Sequence, residues 1–109
     1  MGNVSYESRD DRLIVRFVGS FRPADADDFD QEIEQISGKG PDVVVLDLEK
    51  LDFIGSAGVG ALLRLEKALT SNEKRVRIAR ASDQLQQVFR QSRLEHRFPF
   101  FDTLEHALA

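Results

Sequence analysis

Residues 43–60 read VVVLDLEKLDFIGSAGVG, an apolar run followed by a turn that holds one serine and three glycines. The run at 43–46 does not alternate between apolar and polar residues, which is typical of a strand covered on both faces. From 57 to 71 the apolar residues recur at helical spacing, so a helix that lies closely against the sheet is predicted there. Its apolar stripe consists of Gly58, Leu62, Leu65 and Leu69. The stretch therefore predicts a central strand and a packed helix joined by a glycine-rich turn.

Upstream of this stretch the sequence predicts two strands and one helix. Residues 13–18 are mostly apolar or β-branched and end at a glycine, and residues 4–8 form a weaker strand. The dipeptide Asp10-Asp11 between them suits a tight hairpin turn. After Pro23 the apolar residues recur at three- and four-residue spacing, which predicts an amphipathic helix.

Downstream the elements continue to alternate. A strand is predicted at 76–79, a helix capped by Ser82, a short edge strand at 98–101 and a last helical turn from Thr103. The complete order is ββαβαβαβα, which predicts an α/β fold with a mixed β-sheet of about five strands and about four helices. We expect one domain over 1–109, since the chain is long enough for one core and too short for two ordinary domains.

Composition excludes several classes of function. The formal net charge of -4 disfavours nucleic acid as a partner. There is no Cys for a disulfide, a thiolate zinc site or a cysteine nucleophile, and His96 and His106 stand alone, so neither a metal nor a cofactor is predicted. No secretory signal or long apolar run is present. We therefore expect a cytoplasmic protein without membrane insertion.

The turn around Ser56 does not fit the common motifs of catalysis or nucleotide binding. It lacks the lysine of a P-loop, its glycines are in the wrong order for a dinucleotide fingerprint, and Ile54 replaces the first glycine of a nucleophile elbow. The chain is therefore predicted not to be an enzyme. From local sequence alone, Ser56 could simply cap the following helix.

The segment from Phe53 to Gly60 resembles the signature of the anti-sigma factor antagonists, the family also called STAS domains. In that signature a strand-end hydrophobe precedes Asp-Ser-Ser/Ala-Gly-Leu-Gly. Residues 13–19 and 43–48 are similar to the family's second and third strands, and residues 94–108 to its closing strand and helix. The resemblance covers nearly the whole chain and implies the STAS fold.

The resemblance also implies a regulatory function. In the family the first serine of the signature is phosphorylated by a partner kinase, and that position matches Ser56. It implies an anti-sigma factor antagonist-type protein of a partner-switching pathway. Such a protein binds a serine kinase/anti-sigma partner of the histidine-kinase-like ATPase fold, which supplies Mg-ATP, and is reset by a serine phosphatase.

Two positions depart from the family pattern. Gly55 stands where many antagonists carry an acidic residue before the serine, and Arg22 stands where they carry an Asp in the loop after the second strand. An arginine close to a phosphoserine can form charge-assisted hydrogen bonds, so the response to phosphate is expected to differ here.

A partner-binding surface is predicted around Ser56. Small residues keep it low, and helical geometry turns Val59 and Leu63 away from the apolar stripe, so both are expected to be partly exposed. Ordinary packing on the flank of the helix is the alternative for these two side chains. The predicted partner-binding residues are Arg22, Gly55, Ser56, Ala57, Val59, Gly60 and Leu63.

Two other functions stay open at this point. Similar domains serve as non-phosphorylated accessory subunits of transporter ATPases or of stress-sensing scaffolds, and phosphotransfer to Ser56 would discriminate them. A small-ligand site in the Ser56 turn is a third reading, although no cationic cradle accompanies the glycines. The basic residues between 74 and 97 are interpreted as a solvated face rather than a docking site.

Overall fold

A computed structural model of the protein describes residues 4–109 and their side chains apart from that of Lys39. It begins with the predicted hairpin, in which β1 (Val4–Arg9) pairs antiparallel with β2 (Arg12–Phe21). Asp10 and Asp11 form the two-residue turn with φ of 48° and 64°. Positive φ at both positions matches the twist of the strands, and Asp tolerates it better than most residues.

Parallel strands and helices alternate after the hairpin. They are α1 (Pro23–Lys39), β3 (Val43–Ile54), α2 (Ser56–Ser71), β4 (Arg75–Ala79), α3 (Asp83–Gln91), β5 (Phe100–Phe101) and α4 (Leu104–Leu108). The sheet has the order β1-β2-β3-β4-β5, and every pair after the hairpin is parallel. The predicted element order and the mixed five-stranded sheet are confirmed.

The two faces of the sheet are covered unequally. Helices α1, α2 and α3 cover one face, where Phe17, Phe21 and Phe29 pack edge to face or tilted with ring centroids 5.1–5.9 Å apart. The short helix α4 covers part of the other face, with Leu104 and Ala107 in the same cluster as strand residues. Residues 43–46 are buried, as predicted for a strand covered on both sides.

Three strand boundaries differ from the prediction. β2 does not end at Gly19 but passes through it with φ of 79° and shifts its register against β3 before continuing to Phe21. β3 is twelve residues long and reaches Ile54, because its second half pairs with the continuation of β2. β5 is only two residues long, and Phe98, expected in that strand, lies buried before it.

The basic residues between 74 and 97 are not one solvated face. Arg77 Nη1 donates to the carbonyl oxygens of Ala107 and Ala109 at 2.8 and 2.7 Å, and Lys74 Nζ donates to the carbonyl oxygen of Gly40 at 2.7 Å. Several of these cations therefore tie neighbouring segments together, which corrects the interpretation from sequence.

Candidate functional site

The candidate site lies where β2 and β3 end side by side. Phe21 and Ile54 are register partners in this parallel pair, so Arg22 and Gly55 follow them at the same edge of the sheet. Helix α1 begins directly after Arg22 and α2 directly after Gly55. Two helix N-termini, each with unpaired main-chain N–H groups, therefore open at one place.

Ser56 is the first residue of α2 and is exposed. Gly55 occupies the capping position with φ of -93°, and no side chain caps the helix. The first helical hydrogen bond runs from the N–H of Val59 to the carbonyl oxygen of Gly55 at 2.9 Å. Ser56 is therefore not the cap that local sequence allowed, and it is exposed at the start of the helix.

Gly58 fixes that turn against the sheet. A Cβ atom at this position would lie 2.7 Å from Ile54 Cγ1 and 2.7 Å from Phe21 Cδ2, closer than side chains can approach. Gly60 is different, because a Cβ there would meet only Arg64 Nη1, at an ordinary contact distance of 3.4 Å. The glycine at 58 thus serves packing, whereas the one at 60 leaves the outer surface low.

The remaining predicted contact residues fall into two groups. Ala57 is exposed, and Gly55, Gly60 and Leu63 are half-buried, so all four reach the surface around Ser56. Val59 does not, because it is 7% exposed and belongs to the main core cluster.

The predicted partial exposure of Val59 is therefore wrong, and the cause is tertiary packing. Two turns further along the same flank of α2, Glu66 Oε1 accepts a hydrogen bond from Arg97 Nη1 at 3.0 Å. Arg97 belongs to the segment between α3 and β5, so α2 contacts that segment at Glu66.

The sequence analysis missed Phe53 as a candidate contact residue. Its side chain is 57% exposed and lies within 3.5 Å of where a Cβ atom of Gly55 would be. It borders an open groove of about 300 Å³ together with Leu85 and Val88 of α3. The rim of the groove includes the uncharged side chains of Gln84, Gln87 and Gln91. No alternation in the sequence marks it, because Asp52 and Phe53 are both exposed between the buried residues Leu51 and Ile54.

Arg22 contributes a positive charge at this edge of the sheet, since it follows Phe21, the register partner of Ile54. Its side chain is exposed, and its main-chain N–H donates to Asp25 Oδ2 at 2.9 Å. This bond satisfies one free donor at the start of α1. Arg22, Gly55, Ser56 and Ala57 include no general base.

Residues 4–109 contain neither a candidate metal site nor a membrane-spanning helix. Among these described residues, no three His, Asp or Glu side chains are grouped so that they could hold a metal ion. None of the helices in this range has the length and apolar character needed to cross a bilayer.

Comparison with known proteins connects this geometry to a family. The family model of the STAS domain matches residues 3–107. Among curated proteins, BtrV of Bordetella bronchiseptica, named as a candidate anti-sigma factor antagonist, is 31% identical over 100 residues. That alignment covers 92% of this chain and 86% of BtrV.

Solved structures share the fold. A candidate anti-sigma factor antagonist from Thermotoga maritima superposes with a TM-score of 0.88 at 19% identity, covering 96% of this chain and 91% of that one. The phosphorylated form of SpoIIAA, a cell fate determinant of Bacillus, superposes with a TM-score of 0.77 at 20% identity, covering 96% of each chain.

Proposed function

The chain belongs to the STAS domain family and is anti-sigma factor antagonist-like, and from this premise we propose that it is switched by reversible phosphorylation of Ser56. The partner that adds the phosphate is a serine kinase/anti-sigma factor, a serine phosphatase removes it, and both act in the cytoplasm. The anti-sigma antagonist family is generally regulatory rather than enzymatic, so the chain acts by binding. The observation that carries the proposal is the exposed Ser56 hydroxyl, which caps nothing at the start of α2.

The unmodified protein offers the partner a low surface from which one aromatic ring, that of Phe53, protrudes. Ser56 and Ala57 form its centre, Gly60 lies one turn further along α2, and Phe53 stands beside them. A ring that is 57% exposed can insert into an apolar pocket and supply most of the contact energy, as aromatic anchors do at protein interfaces. The small residues let the partner's active site approach the Ser56 hydroxyl.

Phosphorylation changes the charge at this surface without disturbing the fold. It adds roughly -1.5 to -2 charges at pH 7. Within the domain the N-terminus of α2 and the Arg22 guanidinium favour that charge, and no buried partner of Ser56 is displaced. At a packed interface the same charge must lose its water, so the complex dissociates.

Phosphotransfer and calorimetry test the proposal together. The chain is incubated with Mg-ATP and, one at a time, with the histidine-kinase-like ATPases of the native cell. One of them should add one phosphate to wild type, measured by intact mass, and none should add it to Ser56→Ala. With the ATPase that phosphorylates the chain, Ser56→Asp should weaken binding about 100-fold. Ser71→Asp is the matched control, because it places the same charge on the exposed last residue of α2, and it should bind like wild type.

Two results would contradict the proposal. One is a phosphate on Ser56→Ala in the same amount as on wild type. The other is tight binding of Ser56→Asp by a kinase that phosphorylates wild type. Recovery of a transporter ATPase in pull-downs, without any phosphate transfer, would favour the accessory-subunit function instead.

A further inference from the structure

One edge of the sheet, formed by β1, has no partner among the described residues. β1 pairs with β2 alone, over Val4 to Arg9. Arg9 and Arg12 flank the two-residue turn and so form a hydrogen-bonded pair, after which hydrogen-bonded and non-hydrogen-bonded pairs alternate along the ladder. The main-chain N–H and C=O groups of Tyr6 and Ser8 therefore point outward, in the direction where another strand would bind.

A groove runs beside this edge, between β1 and α1. Its first part has a volume of about 170 Å³ and its second about 370 Å³, and Tyr6 and Glu32 line both. The side chains of alternate β1 residues face the groove, because successive residues of a strand point to opposite faces. An added strand would place every second side chain over the same groove.

The α1 side of the groove is acidic. Asp25, Asp28 and Glu32 line it and follow one another at three- and four-residue spacing, which places them on one face of the helix. The phenol of Tyr6 is partly buried there, and burial together with the Glu32 carboxylate raises its pKa to about 12. Tyr6 thus stays a neutral hydrogen-bond donor, and the negative charge of the groove comes from the helix.

We propose that the free edge of β1 binds an extended segment of another protein that carries Lys or Arg at alternate positions. The segment adds a sixth strand to the sheet through the outward groups of Tyr6 and Ser8. Its basic side chains lie over the groove, near the α1 carboxylates. Main-chain hydrogen bonds supply affinity, and the alternate cations supply specificity.

The same charges argue against a second copy of this chain as the occupant. Antiparallel pairing of two β1 edges makes one continuous sheet with both α1 helices on the same face. The carboxylates of Asp25, Asp28 and Glu32 would then face their counterparts across the junction, and like charges in such positions repel. The residues that line this groove differ from the predicted contact residues of the Ser56 site, and one of them, Asp25, accepts a hydrogen bond from the main-chain N–H of Arg22 at 2.9 Å.

Amide NMR with a defined peptide tests the proposal. The probe is a blocked octapeptide of alternating Lys and Thr, titrated into the full chain. We expect shifts and slowed hydrogen exchange at the amides of Tyr6 and Ser8. Glu32→Lys should weaken binding about tenfold. Glu34→Lys is the control, because it reverses a charge on an exposed residue of the same helix outside the groove, and it should bind like wild type.

Two control peptides and the oligomeric state of the chain decide the outcome. The peptide with Glu in place of Lys, and the peptide with alternate amides N-methylated, should leave the β1 amides unshifted. If either binds as well as the probe, or if the probe shifts residues other than β1 and α1, the proposal is wrong. Concentration-dependent dimerisation that blocks the β1 amides would also overturn it, in favour of a second copy.

Discussion

Asp47 in β3 and Ser56 at the start of α2 are polar groups only nine positions apart, yet their surroundings are opposite. Asp47 is 3% exposed and Ser56 is exposed. Arg80 binds the Asp47 carboxylate with two hydrogen bonds, Nη2 to Oδ2 at 2.6 Å and Nε to Oδ1 at 3.2 Å, and Arg16 Nε lies 3.4 Å from Oδ2. The number of partners thus separates a polar group that stabilises the fold from one that is available for chemistry.

The Asp47 cluster lies on the part of the sheet that α4 leaves open. Arg16 also donates to Glu7 Oε1 at 2.6 Å, and Arg80 Nη1 lies 3.4 Å from Glu49 Oε1, so the charges form a chain across β1, β2, β3 and the end of β4. The main chain at Arg80 has φ of 60°, which non-glycine residues adopt at a cost. The bidentate contact with Asp47 compensates that cost.

The largest difference should appear in stability. Asp47→Ala leaves two guanidiniums without their shared carboxylate, and because each is about one-third exposed, we expect a loss of about 2–3 kcal/mol in the free energy of unfolding. Ser56→Ala should change it by less than about 0.5 kcal/mol. Urea unfolding followed by circular dichroism measures both, and equal losses would show that Ser56 has a structural partner.

A second pair of variants tests whether Gly58 stabilises the fold by its close packing against Ile54 and Phe21. Gly58→Ala forces a Cβ atom within 2.7 Å of Ile54 and Phe21, so we expect a loss of about 1–3 kcal/mol in the free energy of unfolding. Gly60→Ala meets only Arg64 Nη1 at an ordinary contact distance and gains helix propensity, so it should be neutral or stabilising by up to about 1 kcal/mol. Thermal unfolding of the two variants provides the measurement. Equal destabilisation would refute the assigned packing role of Gly58.

The fold was predictable from local patterns because its elements are strongly periodic. The continuous apolar run at 43–46 and the stripe that contains Leu62 and Leu65 identified the central strand and its helix. Strand ends were less predictable: β2 continues through Gly19 because β3 offers a partner there, which a local sequence pattern does not contain.

The candidate site was predictable in position but not in its outline. The glycines and Ser56 marked the turn, yet the helix starts one residue earlier than predicted, with Gly55 at the cap. Val59 is buried in the main core cluster, and local helical spacing does not encode which tertiary neighbours cover that flank of α2. Phe53 was missed because its exposure follows from an open groove beside α3.

A smaller effect concerns the charge that Arg22 contributes. If phosphoserine is genetically encoded at position 56, the second pKa of its phosphate should be about half a unit higher in Arg22→Ala than in wild type, since a nearby cation favours the dianion. Arg90→Ala, in the last turn of α3, is the control and should leave that pKa unchanged. Phosphorus NMR titration measures it, and equal values in the three proteins would exclude pairing between Arg22 and the phosphate.

The smallest effect is expected at Tyr6, which is 43% exposed, whereas Asp47 is 3% exposed. Burial, followed by the Glu32 carboxylate, raises its pKa from the ordinary 10.0 to about 12, so the folded state holds its proton more tightly than the unfolded state does. The resulting stability is present below pH 10 and is lost as the pH rises to about 12. The phenol is 43% exposed, so the loss should stay below about 1 kcal/mol.

Two measurements check the Tyr6 prediction. Tyr6 is the only tyrosine, so the phenolate absorbance of the folded protein reports its titration directly. Urea unfolding between pH 10 and 12 should show a smaller loss for Tyr6→Phe than for wild type. A midpoint near 10 in the absorbance titration would contradict it.

The order of the strands in the sheet repeats their order in the chain. No strand has to be inserted between two that are already paired, so the sheet can grow from the hairpin outward, one neighbour at a time. After the hairpin, each new strand pairs with the strand before it in the chain across a connection that contains one helix, which keeps the entropic cost below that of pairing strands far apart in sequence. During synthesis, β2 and β3, which end beside the Ser56 turn, can therefore pair before β4 and the segments after it have left the ribosome.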